Sequence, residues 1–294
     1  MSDTPAPLLP ASLLPPAIAR LRAAGVADPA RDARLLLAHA LGLPPERVSL
    51  ALHDPAPADT AARFAALIDR RAARQPVSQI IGRRLFWGRS FIVTPDVLDP
   101  RPETETLIAA ALAEPFARVL DLGTGSGAIL LTLLAEAPQA SGLGVDLSPA
   151  ALDVARANTC ALGLAGRADF VLSDWFVAVA GRFDLIVANP PYIAAAEMPA
   201  LAPETRDWEP HLALTPGGDG LDACRAISAG AAAHLAPGGR LLVETGPTQG
   251  AAVAALMRKA GLQAVEILPD MDGRDRVVIA RAAPPDPGAG PTVA

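Results

Sequence analysis

Cysteine and aromatic residues are scarce in this chain: 294 residues hold two cysteines, three tryptophans, one tyrosine and seven phenylalanines. Cys160 and Cys224 stand alone in helical patterns, which excludes a disulfide framework and points to buried thiols in a reducing cytosol. Four histidines (His39, His53, His211, His234) are scattered without metal-ligand spacing, so no metal centre is expected. No apolar run reaches the ~20 residues needed to span a bilayer. Residues 1–5 carry neither a basic nor an apolar leader region, so a cytoplasmic protein with no membrane partner is expected. What the chain has instead is aliphatic bulk. It is 51% hydrophobic, with the weight in Ala, Leu and Val, enough for one large domain and a small one.

Charge is unevenly spread over a net −6. Residues 1–75 carry nine arginines against seven acids, whereas the remainder is net acidic. Between Arg70 and Pro95 six arginines (Arg70, Arg71, Arg74, Arg83, Arg84, Arg89) occur with no acid. Such a run reads either as a solvated face or as a landing site for an anionic macromolecule.

Residues 1–75 read as a small all-α domain of short helices separated by Pro and Gly. One helix begins near Pro15-Pro16. A second has Asp28 as N-cap and Pro29 at its first position. A third is brief, from about Glu46 to Leu50, and the last runs from about Asp59 to Arg74. Residues 76–105 form a hairpin and linker, since Leu85-Phe86 and Phe91-Ile92-Val93 flank Trp87-Gly88-Arg89-Ser90. In residues 106–282 short apolar strands at 119–122, 142–146, 169–172, 183–188 and 240–244 alternate with amphipathic helices. The last two strands, near 264–268 and 276–280, are joined by a turn and must pair antiparallel. The class predicted is α/β: a Rossmann-like seven-stranded sheet, mostly parallel with an antiparallel last strand, covered on both faces. Residues 283–294 are Pro/Gly-rich and are expected to be a disordered tail.

Asp121-Leu-Gly123-Thr124-Gly125-Ser126-Gly127 falls where the first of these strands turns into a helix. Glycines there let the backbone approach a ligand that Cβ atoms would block. The spacing is G-x-G-x-G, not the G-x-G-x-x-G of dinucleotide folds. Asp146 closes the next strand, where a carboxylate can accept hydrogen bonds from ribose hydroxyls, or serve as an N-cap with Ser148. After the third strand, Ser173-Asp174-Trp175-Phe176 sets a carboxylate beside an indole, an acceptor and an apolar face for adenine. Gly123, Thr124, Gly125, Ser126, Gly127, Asp146 and Trp175 are therefore the candidate nucleoside-binding residues.

Asn189-Pro190-Pro191-Tyr192 follows the strand at 183–188. Two prolines remove two N–H donors and keep the backbone extended. The Pro190 carbonyl and the Asn189 side-chain oxygen then offer two acceptors, matching the two hydrogens of an NH₂ group. Tyr192 offers a ring for stacking. Such a clamp suits an amide nitrogen, whose lone pair is tied up in resonance worth ~18–20 kcal/mol if fully broken. In-line positioning can contribute roughly 7–11 kcal/mol, and no strong general base is needed.

On these residues the chain resembles class I methyltransferases. With Pro76–Gly82, Phe86-Trp87-Gly88, Pro100-Arg101-Pro102-Glu103-Thr104-Glu105, Gly217-Gly218-Asp219-Gly220-Leu221 and Gly273-Arg274-Asp275-Arg276, it resembles the bacterial peptide chain release factor glutamine N5-methyltransferases over roughly residues 10–282. It departs from them in Asp99 before Pro100 and in Thr245. The resemblance implies S-adenosylmethionine as donor, with S-adenosylhomocysteine as product, Asn189 touching both ligands, and Asn189–Tyr192 binding the substrate glutamine, with Asn189, Pro190 and Tyr192 catalytic. It implies release factors as partners gripped by the N-terminal helices, a monomer, and no direct nucleic-acid contact. Three readings stay open at this point. The tetrapeptide also occurs in N6-adenine methyltransferases and in ribosomal-protein glutamine methyltransferases, and a binding module without catalysis is the third. The ribosomal-protein enzymes look different at Arg101–Glu105.

Overall fold

The computed structural model describes residues 8–284, so the tail expected at 283–294 lies almost wholly outside the described residues. The chain divides into two units, one running to Arg83 and taking in Ala202–Trp208, the other formed by Arg84–Leu201 and the chain from Glu209 onward. None of the described helices is long and apolar enough to cross a membrane.

The first unit is helical. Helix α1 spans Pro10–Ala23, α2 Pro29–Leu41, α3 Thr60–Ala72 and α4 Val77–Ile81. Asp28 caps α2 by accepting from Arg31 N at 3.1 Å, Pro29 pre-sets its first turn, and Gly42 in the left-handed region ends it. Leu14, Leu21, Leu36, Leu37, Phe64, Ile68 and Ile80 meet in the core. Helix α1 begins five residues before the expected start, so Pro15 and Pro16 lie inside it. Burial of Leu14, Ala17 and Leu21 on one face outweighs the hydrogen bonds those prolines forgo. The third helix shrinks to a 3₁₀ turn at Pro45–Arg47. Helix α4 and the short helix Pro203–Trp208 carry this unit beyond residue 75.

The arginine run is largely consumed inside the units. Arg71, only 7% exposed, pairs with Asp32 at 2.7 Å and Glu204 at 2.8 Å. Arg74 pairs with the same Glu204 at 2.5 Å and donates to the Gly25 carbonyl. Arg70 donates to Gln75, Arg84 to the Pro100 carbonyl, and Arg89 pairs with Glu136. The missing acids come from far along the chain, which is why a local charge count reads as a bare cationic run.

The second unit holds the sheet. A hairpin of β1 (Arg83–Phe86) and β2 (Arg89–Ile92) turns at Trp87 and Gly88, both at positive φ, as a two-residue hairpin turn demands. The seven-stranded sheet comprises β3 (Arg118–Leu122), β4 (Ser141–Asp146), β5 (Ala168–Leu172), β6 (Phe183–Ala188), β7 (Leu235–Glu244), β8 (Gln263–Pro269) and β9 (Asp275–Arg281). Their order is β5-β4-β3-β6-β7-β9-β8, with β9 antiparallel to both its neighbours and the pairs from β5 through β7 parallel. This is the predicted α/β class. Helices Glu105–Leu112, Ala128–Glu136, Pro149–Ala161, Asp222–His234 and Gly250–Lys259 pack against it, burying Leu120, Leu122, Ile186 and Val243 in one cluster and Val119, Leu185, Val187 and Leu242 in another.

Three details differ from the sequence reading. Strand β7 starts at Leu235, five residues early, with a register irregularity opposite β6 between Phe183 and Leu185. The loop after β6 contains short helical segments at Met198–Ala200, Pro203–Trp208 and His211–Leu214. Cys160 is exposed, not buried, on the outer face of its helix, while Cys224 is buried with its thiol pushed up to about 12 by burial.

Glu204 is the common acceptor of two arginines in the helical unit. Burial pushes its carboxyl up, but the bonds from Arg74 and Arg71 more than offset that and leave its pKa below the usual value. Glu204→Ala removes one of the two carboxylates on buried Arg71 and the carboxylate on part-exposed Arg74, and should destabilise the fold by about 1–3 kcal/mol in denaturant titration at neutral pH. A depressed pKa means the stabilisation is present above the ordinary carboxylate range and lost as pH falls through the folded-state value. The gap between variant and wild type should therefore close in acid. A neutral-pH difference near zero would contradict the role assigned to Glu204.

Candidate active site

The sheet reverses direction at β3: the chain runs outward to β4 and β5, then returns to place β6 on the other side of β3. Ligands in such sheets bind beyond the carboxyl ends of the strands at this reversal. A cavity of about 360 Å³ opens there, within the size range of small-molecule sites. Its wall includes Gly123, Thr124, Gly125, Ser126, Asp146, Trp175, Asn189 and Pro191. Of the residues picked from sequence, Gly127, Pro190 and Tyr192 are not in that wall. Gly127 caps the Ala128–Glu136 helix in the left-handed region, Pro190 is buried, and Tyr192 is half-buried.

The glycine loop is held from behind. Gly123 N and Thr124 N both donate to the Val145 carbonyl at 2.9 Å, and Gly125 N donates to Asp146 Oδ2 at 2.8 Å. These N–H groups are already used, so the loop is no phosphate cradle, which needs them free. It presents bare Cα atoms instead. Gly123, Gly125 and Gly127 all have positive φ, and a Cβ on Gly123 would stand 3.7 Å from the Trp175 ring. Beneath the loop, buried Asp121 accepts from Thr124 Oγ1 at 2.7 Å, and burial pushes its carboxyl up to about 7. Asn158, fully buried, donates to the Ser126 carbonyl and to Ile92 O, tying the loop to the hairpin.

Asp146 supports the start of the next helix, where Ser148 is the N-cap, and holds the glycine loop as well. Oδ2 holds Gly125 N and Oδ1 accepts from Ser148 N at 2.9 Å, while Ser148 caps the next helix. Each carboxylate oxygen keeps a lone pair for a further donor in the cavity. Trp175 sits in the left-handed region at φ 47, costly for a bulky residue. Ser173 secures that turn by donating to Trp175 O and accepting from Ala178 N. The indole is thus fixed across from the glycines. An adenosine fits this half of the cavity: a flat apolar wall, an anionic strand end and a loop with glycine at every second position.

At the other half, Asn189 Nδ2 donates to Thr104 Oγ1 at 3.2 Å. The Tyr192 carbonyl accepts from Gln249 Nε2 at 2.9 Å, and Gly220 is required beside it, since a Cβ there would lie 2.3 Å from that oxygen. Burial, then Glu244, pushes the Tyr192 phenol up to about 12, so it stays neutral. Arg101 reaches Glu209 at 2.5 Å; burial outweighs the guanidinium and leaves Glu209 raised to about 7. Asp99, one of the two family departures, is accommodated by Arg84 at 3.6 Å. Thr245, the other, gives its carbonyl to Arg276.

Sequence reasoning left out Arg101 and Thr104, which line the cavity, and Glu209 and Glu244 behind it. Pro102 and two glutamates in Arg101–Glu105 look like ordinary helix-start chemistry. The only available signal was that this stretch discriminates between related families.

Residues 12–82 match the PrmC N-terminal domain family and residues 98–205 the Methyltransferase small domain family. The release factor glutamine methyltransferase of Cereibacter sphaeroides is 66% identical over 271 residues, covering 92% of this chain and 98% of that protein. The chain belongs to the release factor glutamine methyltransferase family. The family member from Rhodospirillum rubrum is 48% identical, with 94% of this chain and 90% of that protein covered. A solved methyltransferase from Pyrococcus furiosus shares the fold at a TM-score of 0.52 and 16% identity, over 76% of this chain and 99% of that one.

Asp146 generates a sharp expectation for binding in this family member. Asp146→Ala should weaken S-adenosylhomocysteine binding by roughly 1.5–3 kcal/mol, the worth of a hydrogen bond to a charged acceptor. Asp146→Asn should do no better, because its NH₂ would face Gly125 N–H or Ser148 N–H. Calorimetry showing wild-type affinity for either variant would remove Asp146 from the site.

Proposed function

We propose that this chain transfers a methyl group from S-adenosylmethionine to the side-chain amide nitrogen (N5) of the glutamine in the Gly-Gly-Gln loop of peptide chain release factors, modulating translation termination. The observation that carries this is Asn189: it stands at the carboxyl end of β6, in the wall shared with the glycine loop, Asp146 and Trp175. An amide-binding group and a nucleoside-binding half therefore border one cavity. The helical unit is the part that grips the release factor, the protein acts as a cytoplasmic monomer, and no nucleic acid is contacted directly.

When bound, S-adenosylmethionine supplies an electrophilic methyl group on a sulfonium. Gly123–Ser126, Asp146 and Trp175 hold its adenosine end. Asn189 and the Pro190 carbonyl take the two hydrogens of the glutamine NH₂, aim its nitrogen and favour partial pyramidalisation. Such positioning is worth roughly 7–11 kcal/mol. Tyr192, neutral at physiological pH, packs on the planar amide without serving as a base. The product nitrogen releases its proton to water after transfer.

The test offers isotopically labelled donor with release factor, nucleic acid or ribosomal protein, and maps the modified residue by mass. Label on the Gly-Gly-Gln glutamine is expected. Asn189→Ala should lower turnover about a hundred- to a thousandfold, roughly 2.7–4 kcal/mol, with donor binding falling far less. Label on another residue type, or near-normal turnover by Asn189→Ala, would overturn the reading.

A further inference from the structure

Asn189 can offer a ligand either its oxygen or its NH₂, and the two ends make opposite demands. Which end faces the cavity is fixed behind it. Asn189 Nδ2 is 3.2 Å from Thr104 Oγ1, and the same hydroxyl stands close enough to the Glu244 carboxylate to favour its ionised form, Glu244 Oε2 having no hydrogen-bond partner of its own among the described residues. Both partners are deeply placed, Thr104 at 4% and Glu244 at 1% exposure. Strand pairing brings them there: Ala188 on β6 is opposite Val243 on β7, so Asn189 and Glu244 leave adjacent strands side by side.

A hydroxyl has one proton to give, and an ionised carboxylate only accepts. The Thr104 proton therefore goes to Glu244, and a Thr104 lone pair is left for Asn189. The Asn189 atom beside Thr104 must be the NH₂, and its oxygen is turned away from Thr104. This follows from proton counting, not from telling two look-alike amide atoms apart.

We propose that Thr104 and Glu244 are positioning residues that lock Asn189 with its oxygen toward the substrate, so that the site accepts a neutral amide and rejects a carboxylate in the same place. The proposal rests on the glutamine reading above and adds the origin of its selectivity. A glutamate side chain would bring acceptors against the Asn189 oxygen, with no donor to meet them. The lock is complete well above pH 7, where Glu244, raised to about 7 chiefly by burial, is ionised. Arg276, Arg101 and Glu103 are the other charges acting on it.

The test uses the full chain well above pH 7, with a Gly-Gly-Gln peptide as substrate and its Gly-Gly-Glu counterpart as competitor. Thr104→Val should leave the donor KM unchanged and lower kcat about tenfold, the effect of one lost orienting hydrogen bond. The glutamate peptide should at the same time gain as an inhibitor relative to binding of the glutamine peptide, because the freed amide can turn its NH₂ toward a carboxylate. Thr104→Ser should restore both. Three results would overturn the lock: Thr104→Val with wild-type kcat and selectivity, a kcat loss without altered selectivity, or Thr104→Ser no better than Thr104→Val. Should Thr104→Val not fold, diffraction data from the unaltered enzyme to about 1 Å decide the matter. Hydrogens on the Asn189 atom facing Thr104 support the lock, and hydrogens on the other atom overturn it. If the unaltered enzyme methylates no glutamine, the failure belongs to the functional reading and not to this lock.

Discussion

Parallel pairing of β3 with β4 on one side and β6 on the other is the constraint from which the site follows. It brings three chain exits to one edge of the sheet: the glycine loop, Asp146 and Asn189. Because β4 is in register with β3, the Val145 carbonyl lies where two loop N–H groups can reach it. The loop is thereby pinned in left-handed turns that only glycine adopts cheaply. The next strand over, β7, brings Glu244 beside Asn189 by the same register logic.

Buried charge is concentrated around this edge. Asp121, Glu209 and Glu244 are all held near 7, chiefly by burial. Groups so placed cost stability when ionised, and a fold built for stability alone would have little use for them. Here they orient neighbours: Asp121 holds Thr124, Glu209 engages Arg101, and Glu244 engages Thr104. At the opposite ends of the strands the buried charge is Arg240, which donates to the Ala110, Ala111 and Glu114 carbonyls.

Legibility from sequence followed locality. The glycine loop, Asp146 and Asn189 could be read because each is a short run directly after an apolar strand, and position after a strand fixes position in space. The seven strands and their antiparallel finish were legible for the same reason. Thr104, Glu209 and Glu244 were not, because each matters only through a partner some eighty-five to more than a hundred residues away or in another strand. The arginine run misled in the same way, since Glu204 and Asp32 are distant in sequence. Pro15 and Pro16 looked like a helix start because local proline chemistry favours that, and tertiary burial of Leu14 and Leu21 overrode it. Cys160 was misplaced because a lone cysteine in a helical pattern gives no phase for the buried face.

The central claim is that one cavity at the carboxyl edge of the sheet holds the donor against Asp146 and Trp175 and the acceptor amide against Asn189. A crystal structure with S-adenosylhomocysteine and a Gly-Gly-Gln peptide tests it most directly. The account predicts adenine against the Trp175 indole and ribose hydroxyls on Asp146. It also predicts the glutamine nitrogen within about 2.7–3.2 Å of both Asn189 Oδ1 and the Pro190 carbonyl. A glutamine side chain seated elsewhere, with Asn189 touching only the nucleoside, would contradict it.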